Sequence, residues 1–204
     1  MYNIIILFER VEILSDYTIK KANNNDIEQI INLIYNTEPN PNYEWGYGNE
    51  LEQKEKLKHL LNSNTCRFKL DNLLICKYNG QFCGLLLSLG GRRIKKETLI
   101  ADLKLIHYEK NITRKVLFSI NTFFYIFYKE CAHNEYYLSN IALNKEFRGI
   151  GLAEKLLTEG YKIAKNEGYK TVCLHANNDK LITYYESLGF ILINSKTKKM
   201  IKDI

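Results

Sequence analysis

Residues Arg148 to Ala153, which read Arg-Gly-Ile-Gly-Leu-Ala, are of types that could bind a phosphate. The first N–H groups of a helix have no partner inside that helix, and they lie at the positive end of its dipole. Small residues let a phosphate approach these N–H groups closely, and Arg148 would add a charged fork of donors. The segment therefore predicts a pyrophosphate cradle or, alternatively, an ordinary tight turn that contains glycines.

The elements on either side of this loop are the ones that such a cradle requires. Residues 136 to 143 are apolar and partly alternating, which predicts a buried strand, and a polar turn follows at residues 144 to 147. After the loop, apolar residues recur at the spacing of one helix face: Leu152, Leu156, Leu157, Ile163 and Ala164. A strand therefore leads through a glycine-containing loop into a helix N-terminus.

The order of residues in the loop resembles the Arg/Gln-x-x-Gly-x-Gly/Ala signature of the GNAT N-acetyltransferases, with Arg148, Gly151 and Ala153 at the matching positions. Residues 138 to 148 also resemble that family's fourth strand and its turn into the third helix. Lys145 stands where the family often has proline.

A second motif, nearer the C-terminus, resembles the family's Asn-x-x-Ala-x-x-x-Tyr-x-x-x-Gly-Phe ending. Four of its positions match, namely Asn178, Tyr185, Gly189 and Phe190. Leu181 replaces the usual alanine and Ser187 replaces a frequent lysine, but neither departure removes a group that the chemistry needs. Two motifs in the right order, separated by a predicted helix and strand, are far more specific than either alone.

The resemblance implies an α/β fold with a mixed, mostly antiparallel central sheet flanked by helices. It implies acetyl-CoA as the cosubstrate, held between two strands that splay apart. The pantetheine arm would lie along the backbone of Ile141, Ala142 and Leu143, and Asn178 would contact the arm from the other side, unless it serves only as a helix N-cap. The pyrophosphate would lie on the loop and the helix start, Arg148, Gly149, Ile150, Gly151, Leu152 and Ala153.

By the same resemblance, the reaction is direct transfer of the acetyl group to a neutral amine, without a covalent acyl-enzyme. The N–H of Leu143 would stabilise the oxyanion, and the phenol of Tyr185 would donate to the departing thiolate as general acid. Tyr185 could instead be a core aromatic residue. The adjacent Tyr184 lies about 100° further round the helix, so we expect it to face elsewhere.

Several residues could take the proton of the amine: Glu38, Glu44, Glu135, Ser139 and Asn140. The loop from Thr37 to Gly48 is rich in aromatic residues, which predicts either a packing plug or the wall of an acceptor site. In the second case, Glu38 and Glu44 would contact a cationic acceptor. A protein N-terminus, a lysine, a polyamine, an aminoglycoside, an amino acid and other small amines all remain open as acceptors.

Two other functions compete with the acetyltransferase. A non-catalytic CoA-binding sensor on the same fold would keep the loop from Arg148 to Ala153 but would not need Tyr185. A dinucleotide-binding module would want a third small residue at the position of Glu154.

The 204 residues predict one domain at residues 17–194, preceded by an extension of uncertain structure at residues 1–16 and followed by a basic tail at residues 195–204. Asn79-Gly80 predicts a hairpin turn. Residues 92–133 resemble the family least. We expect a helical or irregular segment around residues 98–109, then a helix at about residues 113–129. The aromatic stripe of that helix would pack in the core, form a dimer face or line the acceptor site.

The composition is that of a soluble globular protein, with 46% hydrophobic and 25% charged residues. The net charge of +6 is explained by lysines in the tail and on solvated helix faces, and we recognise no nucleic-acid-binding module. Five cysteines without a C-x-x-C spacing indicate neither a disulfide framework nor a metal site, and they predict a reducing compartment. We find no signal peptide or membrane span, and therefore expect a cytoplasmic monomer or homodimer.

Overall fold

The centre of the molecule is a seven-stranded sheet in the order β1-β2-β3-β4-β5-β7-β6. The computed structural model describes residues 17–125 and 127–204, so the predicted extension at residues 1–16 lies outside the described residues. The strands are β1 (Tyr17–Lys21), β2 (Leu73–Tyr78), β3 (Gln81–Gly90), β4 (Glu135–Leu143), β5 (Thr171–His175), β6 (Ile191–Asn194) and β7 (Lys199–Asp203). Among these strands β4 and β5 pair in parallel, and the other neighbours pair antiparallel. The predicted mixed, mostly antiparallel sheet is confirmed.

Helices cover both faces of the sheet. In the described part of the chain they are α1 (Ile27–Thr37), α2 (Pro41–Glu44), α3 (Glu50–Leu61), α4 (Gly91–Tyr108), α5 (Ile112–Tyr125), α6 (Leu152–Asn166) and α7 (Asp179–Ser187). Leu85 and Leu87 of β3 pack in one core with α1, α3 and α4, whereas Leu86 packs in a second core with α6 and α7. Because successive side chains of a strand point to opposite faces, the continuous apolar run of β3 fills both cores.

The hairpin between β2 and β3 forms where the sequence predicts it. Asn79 and Gly80 have φ values of 48° and 76°, the left-handed conformations that a two-residue hairpin turn requires. This turn sets β3 beside β2, and β3 in turn supports the strand that borders the site.

The strand β4 changes character halfway along its length. Its pairing with β3 passes from Leu138 to Asn140 across successive β3 residues, so Ser139 is the extra residue of a β-bulge. Its parallel pairing with β5 involves only residues 135–137. Beyond Tyr137 the two strands separate, and the edge of β4 that faces β5 is left open.

The prediction of a basic tail at residues 195–204 is wrong. Residues Lys199–Asp203 form β7, which pairs with β5 on one side and with β6 on the other. Met200 is fully buried, while Lys199 forms an ion pair with Glu135 at 2.7 Å. The lysine content of this segment concealed a strand in which Met200 packs into the core and Lys199 and Lys202 are part-buried.

Residues 91–125 contain two helices, α4 and α5. The helix α4 begins earlier than the segment predicted at residues 98–109, and α5 ends earlier than the helix predicted at about residues 113–129. Every residue of the predicted aromatic stripe is exposed, namely Val116, Leu117, Ile120, Phe123, Phe124, Phe127 and Tyr128, whereas Phe118, which was not part of it, is buried. The interpretation of this stripe as core is therefore wrong. All five cysteines are buried and unpaired. No helix within residues 17–125 and 127–204 has the length and apolar content needed to cross a membrane.

Candidate active site

A cavity of about 1090 Å³ lies where β4 and β5 separate. The second half of β4, the loop that follows it, the start of α6 and the start of α7 form its walls. The cavity is lined by every residue that the sequence predicts to contact a cosubstrate, namely Ile141, Ala142, Leu143, Arg148, Gly149, Ile150, Gly151, Leu152, Ala153, Asn178 and Tyr185. The fold thus brings together two segments that lie about thirty residues apart in the sequence.

The loop before α6 exposes the backbone that an anion would need. Gly149 and Gly151 have φ values of 81° and 85°, and a Cβ atom built on either would meet no protein atom within 4 Å. Glycine is therefore required by the left-handed conformation, and protein atoms do not cover the loop. The first hydrogen bond of α6 runs from Lys155 N to Gly151 O at 3.2 Å, and no side chain caps this helix. The N–H groups of Leu152 and Ala153 consequently have no partner inside the helix.

Arg148 fixes the loop to the end of β4. Its Nε donates to the carbonyl oxygen of Leu143 at 3.1 Å, which leaves the two terminal guanidinium nitrogens for an anion. This contact also defines the orientation of the strand. Asn144 N donates to Cys83 O of β3 at 2.9 Å, so the neighbouring Leu143 directs its backbone groups to the opposite, open edge. The N–H of Leu143 therefore faces the gap between β4 and β5.

Asn178 is the N-cap of α7. Its side chain accepts a hydrogen bond from Leu181 N at 3.0 Å, as the simpler of its two predicted roles requires. The cap uses Oδ1 alone, so the Nδ2 group can donate to a ligand in the cavity.

Tyr185 is buried, with 8% of its surface exposed, and its ring packs edge-on against Phe190 at 5.6 Å. Burial, followed by the neighbouring Tyr184, raises the pKa of its phenol to about 12, so the group is a hydrogen-bond donor at neutral pH. The prediction that Tyr184 faces elsewhere is wrong, because this part-buried residue also lines the cavity. The cavity is wide enough at α7 to reach both side chains.

The opposite end of the cavity is acidic. Glu38 and Glu44, from the segment that contains α2, line it together with Glu130 and the buried Arg67. Arg67 donates to Ser139 Oγ at 2.6 Å and to Glu130 Oε1 at 3.2 Å, and therefore ties this end to the β4 bulge. The sequence analysis missed Arg67 and Glu130, since each lies in an irregular segment without a motif.

The carboxylates at this end are poorly compensated by positive charge. Burial raises the pKa of Glu44 to about 7; Arg67 opposes this rise, and Glu38, Glu130 and Asp102 add to it. Burial also raises the pKa of Glu38, against a hydrogen bond from Asn40 N. A carboxyl group with a pKa near 7 is suited to accept a proton at neutral pH.

Two other ionisable side chains, one on β4 and one on β5, have their polar groups engaged elsewhere. Glu135 does not line the cavity; it forms the ion pair with Lys199 and accepts from Ala132 N at 2.7 Å. The interpretation of Glu135 as a base is therefore wrong. His175 does line the cavity, but each of its ring nitrogens lies 2.9 Å from a backbone carbonyl.

A smaller cavity of about 120 Å³, here called the side chamber, adjoins the acidic end. It shares Glu44, Arg67, Phe68 and Glu130 with the main cavity. Its remaining walls come from α2, α4, α5 and the residues just after α5. The segment from Thr37 to Gly48 combines features of both predictions made for it, a packing plug and the wall of a binding site. Its Trp45 is 1% exposed and also lines the main cavity.

Away from both cavities, Cys131, Glu135 and Cys173 are the group of potential metal ligands found among the described residues. Their ligand atoms lie within 4.8 Å of one another. None of the three residues lines either cavity, and Lys199 already pairs with Glu135.

Comparisons with known proteins agree with this geometry. The model of the acetyltransferase (GNAT) family matches residues 40–190. N-alpha-acetyltransferase 30 from Schizosaccharomyces pombe (strain 972 / ATCC 24843) is 36% identical over 56 residues, which are 26% of this chain and 37% of that protein. That match therefore spans little more than a third of the relative's length.

Solved structures of low sequence identity share the fold. An N-acetyltransferase from Staphylococcus aureus Mu50 superposes with a TM-score of 0.71 at 19% identity, covering 91% of this chain and all of the other. A mosquito arylalkylamine N-acetyltransferase like 5b has a TM-score of 0.60 at 13% identity, with coverages of 92% and 100%. Because the family model also covers well over half of the sequence, the chain belongs to the acetyltransferase (GNAT) family.

Proposed function

We propose that this protein transfers the acetyl group of acetyl-CoA directly to an amine. The observation that carries the proposal is a single cavity with an anion cradle at one end and carboxylates at the other, joined by the open edge of β4. A cosubstrate with a pyrophosphate and an amide-bearing arm fits the first end and the edge. A cationic amine fits the second.

The residues suit acetyl-CoA in three respects. The free N–H groups at the start of α6 and the guanidinium of Arg148 would bind the pyrophosphate. The open backbone edge from Ile141 to Leu143 would pair with the amides of the pantetheine arm, as a strand pairs with a neighbour. Asn178 Nδ2 would donate to the arm from the α7 side.

In the reaction, the amine nitrogen attacks the thioester carbonyl, the C–N bond forms, and the C–S bond breaks. The N–H of Leu143, which faces the gap, would stabilise the negative oxygen of the tetrahedral intermediate. Glu44 would take the proton that the ammonium group must lose before its nitrogen can attack, because its pKa of about 7 leaves a useful fraction ionised at neutral pH. The second proton, which the nitrogen loses as the amide forms, would pass to the departing sulfur.

Tyr185 would hydrogen-bond the departing sulfur. Its pKa of about 12 is well above that of a thiol, ~8.5, so the phenol stabilises the thiolate as a donor rather than by giving up its proton permanently. A donor at this point acts only once negative charge develops on sulfur, so it lowers the barrier without tightening ground-state binding.

The test is the release of free CoA thiol from acetyl-CoA with a panel of amines, after calorimetry has measured acetyl-CoA binding. Tyr185→Phe should lower kcat about 100-fold and leave acetyl-CoA affinity within twofold, since the change removes one hydroxyl from the reacting end of the site. Tyr161→Phe is the matched control: Tyr161 is part-buried on α6 but does not line the cavity, so its variant should keep full turnover.

Tyr184→Phe separates the two neighbouring phenols. A large loss of kcat in Tyr184→Phe, with full activity in Tyr185→Phe, would show that the donor is Tyr184 and that its assignment to Tyr185 is wrong. Absence of acetyl-CoA binding by the unmodified protein would overturn the proposed function itself.

A further inference from the structure

We infer that the acceptor is a small aliphatic diamine or polyamine, whose second ammonium group binds in the side chamber while the first is acetylated. This inference rests on the proposed function and specifies its substrate. The charges, buried polar atoms and size of the side chamber support this assignment.

Negative charge exceeds positive charge among the side chains that line this end of the two cavities. Four carboxylates line the two cavities at this end, contributed by Glu38, Glu44, Asp102 and Glu130, and Arg67 is the one cationic side chain among the described residues that line the same end. The guanidinium of Arg67 already donates hydrogen bonds to Glu130 and Ser139. Lys95 lies beside the chamber without lining it, and it bonds the carbonyl oxygens of Tyr125 and Tyr128. A bound dication would therefore supply the charge that the carboxylates lack.

Two buried oxygen atoms at this end make no hydrogen bond of normal length within the described part of the chain, namely Glu130 Oε2 and Thr122 Oγ1. Their polar neighbours include the phenol of Tyr125 for Glu130 and the carboxylate of Asp102 for Thr122. Thr122 is 7% exposed and lines the side chamber. Buried polar atoms are almost always paired, and unpaired acceptors grouped around a cavity indicate a donor that binds there. An ammonium group, which carries three donors and no acceptor, matches the two oxygen atoms of this set.

The size and lining of the side chamber suit a short aminoalkyl arm. A volume of about 120 Å³ holds roughly four groups of the size of a water molecule, at ~30 Å³ each. An aminoalkyl arm of three or four heavy atoms fills that space. Tyr43, Tyr125 and Tyr128 also line it, and aromatic faces attract an ammonium group. A carboxylate-bearing acceptor would instead be repelled.

The resulting arrangement assigns different roles to the carboxylates. Glu44 lines both cavities, so it lies between the reacting amine and the arm. Asp102 lines only the side chamber, where burial raises its pKa to about 6 while Arg67 opposes the rise. Asp102 would therefore bind the second ammonium group and take no part in the chemistry.

The experiment measures kcat/KM for thiol release with 1,4-diaminobutane, butylamine and phenethylamine, using the full chain and saturating acetyl-CoA. We expect 1,4-diaminobutane to exceed butylamine by about 100-fold or more, mainly through KM, because a monoamine would leave the partly buried carboxylates of the side chamber without a cationic partner. Equal values for the diamine and the monoamines would overturn the inference and leave the proposed acetyl transfer standing. Acetyl-CoA binding without thiol release from any of the three would also overturn the inference, whereas the proposed function is decided by acetyl-CoA binding and the wider panel of amines.

A variant locates the effect. Asp102→Asn should reduce kcat/KM for 1,4-diaminobutane at least tenfold and leave the value for butylamine within twofold, since the methyl end of butylamine makes no ion pair with Asp102. Asp71→Asn is the control, because Asp71 is an exposed aspartate outside both cavities. Equal losses for diamine and monoamine in Asp102→Asn would show a structural role and contradict the assignment. The comparison of amines in the unmodified protein does not depend on that variant folding.

Discussion

Replacing Gly151 by alanine should weaken acetyl-CoA binding by much more than it weakens the fold. Gly151 has a φ of 85°, and an added Cβ would meet no protein atom within 4 Å. The cost to the folded protein is therefore backbone strain alone, about 1–2 kcal/mol for a non-glycine residue in the left-handed region. The new methyl group would instead occupy the surface from which a phosphate approaches the first N–H groups of α6.

The loss of affinity can be bounded from the contacts that the methyl group would displace. A hydrogen bond to a charged group contributes about 1.5–3 kcal/mol, and each 1.4 kcal/mol is a factor of ten in affinity. Disturbing one such contact should raise the Kd for acetyl-CoA by about 10- to 150-fold. The measurement is calorimetric titration with acetyl-CoA, accompanied by chemical denaturation of the same sample.

Gly168→Ala provides a matched control for the strain. Gly168 has a φ of 79° and equally open surroundings, and it lies after the other end of α6, outside the cavity. Both variants should lose a similar free energy of unfolding, but only Gly151→Ala should lose affinity. Equal affinity losses in the two variants, or none in either, would refute the assignment of this loop as the pyrophosphate cradle.

Two further perturbations test the acidic end. The pKa of Glu44 rises from an ordinary 4.5 to about 7 on folding, so the native state binds more protons than the unfolded state in this range and stability falls as the pH rises from about 4.5 to 7. A pH series of denaturation midpoints should show this fall, and Glu44→Gln should flatten it. The kcat/KM of the unmodified enzyme should rise through pH 7, as Glu44 ionises. An unchanged stability profile in Glu44→Gln would contradict the proposed pKa shift of Glu44. Arg67→Met should cost about 3–5 kcal/mol of unfolding free energy because it leaves Glu130 without its partner in a nearly buried ion pair. Arg93→Met removes a more exposed ion pair and should cost at most about 1 kcal/mol. Similar losses in the two variants would show that the ion pair of Arg67 does not stabilise the fold as a buried pair does.

The geometry of the loop before α6, which we propose binds the pyrophosphate, was predictable from the sequence because its parts are contiguous. A strand, two glycines with positive φ and a helix start follow one another within residues 136–166, and local periodicity describes each of them. The shared position of Asn178 and Tyr185 at the cavity was also predictable, since Asn178 caps the helix that carries Tyr185 and the spacing along a helix determines their relative positions.

The acidic end was not predictable in the same way. Arg67, Asp102 and Glu130 come from three separate segments, and their proximity follows from how α4 and α5 pack beside β4 rather than from any local pattern. The error over β7 had a different cause. Its lysines dominated the composition of the last ten residues, and the single buried Met200 was too weak a sign of alternation.

The early separation of β4 from β5 has a consequence for solubility. An unpaired strand edge is a template to which another chain can add, and proteins usually protect such edges. Here the edge lies in the middle of the sheet, and a ligand that pairs with residues 141–143 would complete the sheet in the way that an additional strand does. The cosubstrate would then shield the protein against self-association, so that the abundance of soluble enzyme would follow the supply of the molecule it consumes.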